Sequence, residues 1–178
     1  MIPLCDVNRP LKKPFVNYAL ILANVIVFFY FFLTGTLLRG IRLYGAVPIA
    51  ILNGARLWTL LTSMFMHADI MHLAGNMLYL WIFGDNVEDT FGHVKYLIFY
   101  LAGGIFSAFM HIFSTLFSAF FTSIPYVLLD LRVPSVGASG AISAVLGAYL
   151  LLFPGARIRT LVFYFYFFTI VNIPAFFY

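Results

Sequence analysis

Apolar runs long enough to cross a bilayer alternate along this chain with short breaks, and the breaks hold nearly all of its charge. A spanning helix needs about 20 mostly apolar residues. The first such run is Val16 to Leu33, preceded by Arg9, Lys12 and Lys13. Thr34 to Ala55 is interrupted by Arg39, Arg42, Gly45, Pro48 and Gly54, which predicts a long loop. A second span is expected over Asp69 to Gly84, with an alternative start near Leu57. Asp85 to His93 reads as a short charged turn, and a third span follows over Val94 to Phe113. Ser114 to Pro134 mixes apolar residues with Pro125, Asp130 and Arg132, predicting the end of the third helix and a loop lying at the membrane. The fourth span runs from Val136 to Phe153 and closes at Pro154-Gly155-Ala156-Arg157. The fifth runs from Ile158 into Ile173. The pattern predicts an all-α, polytopic transmembrane helical bundle with about five spans. Residues 1–15 form a cytoplasmic N-terminal tail and residues 16–178 a membrane domain.

Composition agrees with lipid as the solvent. Apolar residues make up 63% of the chain and charged residues 9%, against roughly 45–50% and about 25% in soluble domains. The net charge of +4 comes from no dense basic cluster, so no nucleic-acid partner is expected. Lys and Arg favour cytoplasmic loops. An N-inside orientation puts Arg9, Lys12, Lys13, Lys95, Arg157 and Arg159 inside and Arg39, Arg42, Arg56 and Arg132 outside. Cys5 is the lone cysteine, which excludes an intrachain disulfide. No signal-peptide pattern precedes the first span. The apolar end, Pro174-Ala175-Phe176-Phe177-Tyr178, reads as an interrupted chain.

Polar residues inside spans are costly and mark candidate sites. His72 and Asn76 are four apart and share a helix face, with Asp69 one turn earlier. Two adjacent hydrogen-bond donors suit a developing oxyanion. The bland alternative is a polar pair joining two helices. A metal site built on His67, Asp69 and His72 is less favoured, because no second cluster offers another ligand, and no cofactor is expected. The second candidate is Gly137-Ala138-Ser139-Gly140, in which glycines expose the Ser139 hydroxyl at the start of an apolar helix. A helix N-terminus offers main-chain N–H groups to an anion. Gly140, Ala144 and Gly147 then form a small-residue stripe for close helix packing. Here the bland alternative is a packing motif with Ser139 as N-cap. His93, His111, Trp58 and Trp81 read as structural or interfacial residues.

In this order the weak signals combine. His67-x4-His72-x3-Asn76, then a turn with Glu88 and Gly92, then Gly137-x-Ser139-Gly140 opening a striped span, resembles the rhomboid family of intramembrane serine proteases. The resemblance implies six spans, of which about five are here. It implies Ser139 as nucleophile, His72 and Asn76 as oxyanion stabilisers beside the Ser139 main-chain N–H, His67 in a supporting position, and Glu88 bracing the first outer loop. The substrates implied are membrane-anchored proteins, and a prokaryotic inner membrane is the expected location. The chain departs from the family at Trp58, which Thr59 rather than Arg follows, with Arg56 before it. It departs further in the base. The resemblance implies a Ser–His dyad whose His sits on the sixth span, against the small-residue stripe, and none of His67, His72, His93 and His111 matches it. A serine hydroxyl needs such a base. The chain by itself is therefore expected to be inactive, with the stripe uncovered. The competing expectation is an inactive rhomboid-like protein that binds or escorts membrane clients.

Overall fold

A computed structural model describes residues 2–8, 10–118, 121, 124–164 and 167–178. Arg9 of the basic flank lies outside the described residues, as do 119–120 and 122–123 of the expected membrane loop. The chain order is β1 (Ile2–Asp6), α1 (Phe15–Leu33), α2 (Leu37–Tyr44), α3 (Pro48–Leu52), α4 (Thr59–Thr62), a 3₁₀ turn (Ser63–Phe65), α5 (Ile70–Phe91), α6 (His93–Ser118), α7 (Ile124–Asp130), α8 (Ser139–Leu152), β2 (Arg157–Tyr164), β3 (Phe167–Pro174) and a closing 3₁₀ turn.

Among the described residues, α1 and α6 are the two helices long and apolar enough to cross a membrane. Only 22% of the apolar window of α1 and 17% of that of α6 are buried, so neither is the core helix of a soluble domain. Leu22, Ile26, Phe29 and Phe32 on α1, and Ile98, Phe106, Phe109 and Phe113 on α6, remain exposed. The inner faces meet a core of Phe28, Leu80, Phe83, Val87, Tyr96, Tyr100 and Tyr149. Helix α8 is buried along Ala141, Ile142, Val145, Ala148 and Tyr149 and packs on both α5 and α6.

Four expectations need correction. The charged turn at Asp85 to His93 is helical through Phe91, and Gly92, at φ 78°, ends α5. Its polar side chains find partners on the N-terminal tail. Glu88, buried, accepts from the amides of Val16 (3.0 Å) and Asn17 (2.7 Å). Asp89 accepts from those of Leu11 and Lys12, and Asn86 donates to Asp6. Glu88 also meets His93. It therefore sits about four and a half turns from His72, holding the start of α1. The first helical amides lack intrahelical partners, and a carboxylate supplies them while favouring the dipole.

The fifth span is a β-hairpin. Strands β2 and β3 pair antiparallel from Arg157↔Pro174 to Tyr164↔Phe167, and β1 adds to β2 from Ile2↔Leu161 to Asp6↔Ile158. An apolar run does not by itself tell helix from strand. Ile158, Thr160, Val162, Thr169, Ile170, Val171 and Ile173 are β-branched and suit a pleated surface. The fold is thus mostly helical with a small three-stranded sheet, not all-α.

The small-residue stripe is not uncovered. A Cβ on Gly103 would lie 2.5 Å from Ala144 Cβ, and one on Gly140 would lie 2.4 Å from Ser107 Oγ. Helices α6 and α8 therefore approach closely through Gly103/Ala144 and Ser107/Gly140. Only Gly147 has nothing within 4 Å. The long loop also holds structure: Arg56 donates to the Arg42 carbonyl (2.8 Å) and to that of Leu43, closing the end of α2.

Candidate active site

Three segments converge on Ser139. The loop before α8 is fixed at two places. Ser135 pairs with Ala46 through reciprocal main-chain bonds of 2.8 and 2.9 Å, and the Gly137 amide donates to the Ser63 carbonyl at 2.9 Å. Gly137 adopts φ 121°, a conformation open to glycine and costly for other residues. A Cβ there would also lie 2.8 Å from His72 Cε1 and Nε2, and 3.5 Å from Asn76 Nδ2. Gly137 thus lets the backbone lie against the two donors expected from their spacing.

Ser139 is the first residue of α8. Ala138 occupies the N-cap position, and no side chain caps the helix. The Ser139 hydroxyl makes no hydrogen bond among the described residues, so it is not consumed as a cap. Its main-chain N–H, at the first helical position, has no intrahelical partner. On the facing helix, Asp69 Oδ1 accepts from the His72 amide at 2.8 Å, which starts α5 at Ile70. An open cleft of about 300 Å³ between the helices is lined by His72, Asn76, Tyr79, Ser139, Ser143 and Leu146.

His67 lies in the loop before α5, outside the spanning helices, and is fully buried. Its Nε2 is 2.9 Å from Asn76 Nδ2, and its ring meets that of His72 edge-on at 5.1 Å. Burial foremost, then the neighbouring His72 ring, pushes the His67 pKa down to about 4; the Phe65 main chain and Asp69 pull weakly the other way. It is neutral at pH 7. Among the described residues no group of three or more His, Cys, Asp or Glu side chains gathers as a metal site.

Sequence reasoning missed the polar surroundings behind the serine. A small cavity of about 60 Å³ is lined by Ser63, Ser107, His111, Ser135 and Ser139, enough for a few waters. Ser107 and His111 are four apart on α6, the same signal that singled out His72 and Asn76.

The sequence also matches known proteins. The family model described as "Rhomboid domain" matches residues 54–178. Rhomboid protease GluP of Bacillus subtilis is 36% identical over 140 residues, covering 78% of this chain and 24% of that protein. RHOMBOID-like protein 12, mitochondrial, of Arabidopsis thaliana is 33% identical over 111 residues, covering 60% of this chain and 32% of that protein. Rhomboid protein 1, mitochondrial, of Saccharomyces cerevisiae is 36% identical over 107 residues, covering 59% and 28%. The chain thus spans between 24% and 32% of the length of these relatives.

Proposed function

This chain belongs to the rhomboid family, and we propose that it acts in intramembrane serine proteolysis, with Ser139 as nucleophile and His72 and Asn76 as oxyanion donors. The observation that carries this reading is Gly137. Its φ of 121° and its contact with both donors bring an unbonded serine hydroxyl, a helix N-terminus and two side-chain donors to one cleft.

In the proposed reaction, Ser139 Oγ attacks the scissile carbonyl of a membrane-anchored protein and gives its proton to a base. The tetrahedral oxyanion is held by the Ser139 N–H, the His72 ring and the Asn76 amide. Collapse, with the base returning its proton to the leaving nitrogen, releases the amine product and leaves an acyl-serine; water, deprotonated by the same base, then hydrolyses it and the serine regains its proton. The cavity behind Ser139 is a source for that water. None of the four histidines is hydrogen-bonded to the Ser139 hydroxyl, so the proposed base is a histidine outside these 178 residues. The proposed setting is a multi-pass protein in the plasma membrane of a prokaryote, N-terminus in the cytoplasm, with lipid and a transmembrane substrate as partners.

The competing reading is an inactive rhomboid-like protein that binds or escorts clients; Ser139, His72 and Asn76 standing together on one cleft argue against it. Cleavage of a membrane-anchored reporter in liposomes separates the two. With the base supplied, wild type cleaves, Ser139→Ala does not, and Asn76→Ala loses about a hundred- to thousand-fold in rate. A wild type that captures the reporter uncut, as well as Ser139→Ala does, supports the escort reading instead.

A further inference from the structure

His67 does not touch the cleft, yet its ring is tied to a group that does. Asn76 Nδ2 lies 2.9 Å from His67 Nε2 and 3.5 Å from the position a Gly137 Cβ would take. One amide nitrogen therefore faces the buried imidazole and the oxyanion side at once. A primary amide nitrogen carries two hydrogens and its oxygen none, while a neutral imidazole has one donor and one acceptor nitrogen. Only two arrangements are self-consistent. With the ring proton on Nδ1, Nε2 accepts one Asn76 hydrogen and the other points to the cleft. With the proton on Nε2, the amide turns over, and its oxygen takes the place of Nδ2 against both neighbours. That oxygen would repel an oxyanion.

We propose that His67 is a positioning residue, whose Nδ1–H tautomer holds the Asn76 amide with a hydrogen aimed at the oxyanion. His67 is fully buried, and its Nδ1 has no hydrogen-bond partner. Buried polar atoms are rarely left unpaired, and a side chain kept only to fill space would more cheaply be apolar. A ring proton on Nδ1 presents Nε2 as an acceptor, and the nearby Phe65 main chain favours a proton on the ring. The inference rests on the oxyanion role proposed for Asn76.

The test reads the ring directly. In the ¹⁵N-labelled 178-residue chain at pH 7, NMR is expected to show His67 as the Nδ1–H tautomer, with a through-bond N–N coupling between its Nε2 and Asn76 Nδ2. Asn76→Ala should abolish the coupling. A His67 that is Nε2-protonated or an imidazolium overturns the proposal. In a form of the protein with its base, a fluorophosphonate should label Ser139 about tenfold or more slowly in His67→Leu and within about threefold of wild type in His67→Gln, whose oxygen also accepts. If both variants slow in step with their loss of Tm, His67 is merely structural and the proposal fails. A wild type that no fluorophosphonate labels would sink the nucleophile assignment, while the tautomer measurement would still decide His67.

Discussion

Gly137→Ala attacks the site at the point where its parts meet. The new methyl group would sit 2.8 Å from His72 Cε1 and Nε2, well inside ordinary contact, on a backbone at φ 121°. The φ penalty alone is about 1–3 kcal/mol. Overpacking against the ring adds about 1–3 kcal/mol. A loss near 4 kcal/mol corresponds to a Tm drop of about 8–16 °C for a chain of this length. Relaxation can spare the fold by moving His72 or Asn76, but then a donor leaves the oxyanion, costing about a hundred- to thousand-fold in rate. Either stability or rate must therefore fall. The assay pairs thermal unfolding in detergent with the rate of fluorophosphonate labelling, both in a form with its base. Gly155→Ala, where a Cβ meets nothing within 4 Å, is the control. If Gly137→Ala matched that control in both Tm and labelling rate, the proposed packing of the Gly137 loop on His72 would be wrong.

Other consequences are equally direct. Gly140→Ala should destabilise through its clash with Ser107, and Ser107→Gly should restore much of the loss, as thermal unfolding of the double variant would show. Gly147→Ala, with nothing within 4 Å in a helix interior, should instead raise stability by about 0.5–1 kcal/mol. Glu88→Ala leaves the Val16 and Asn17 amides without their acceptor and should cost about 2–4 kcal/mol, with Glu88→Gln milder. His67 binds a proton less readily when folded, with a pKa of about 4 against 6.5. Its contribution is complete above pH 6.5 and is lost as pH falls towards 4, by about 3 kcal/mol in all. Titrating Tm between pH 7 and 4 should show this slope, and His67→Gln should flatten it.

The apolar run that became α1 could be read almost to the residue, and so could the start of α6, because length and hydropathy decide them; α6 continues to Ser118, five residues past the expected end. Ser139 at the head of α8 was visible for a similar reason, as a polar residue between glycines opening an apolar helix. The end of α5 was hidden. Asn86, Glu88 and Asp89 look like a water-facing turn until the residues of the tail and the start of α1 that bond to them are known, and those partners lie more than 70 positions away. The final hairpin was hidden by ambiguity, since aromatic and β-branched apolar residues suit a span and a strand alike. The small-residue stripe promised a close partner helix without saying which, and Gly103 and Ser107 of α6 supply it. At the site, the spacing of His72 and Asn76 placed both on one face. It could not reveal that Gly137 carries Ser139 up to them.

Ser139 as nucleophile is the role on which every other proposed role in the cleft depends. Peptide mapping by mass spectrometry after fluorophosphonate treatment, on a form with its base, tests that directly. The adduct is expected on Ser139, absent from Ser139→Ala and unchanged in Ser143→Ala. An adduct on another residue, or labelling that persists in Ser139→Ala, would contradict it.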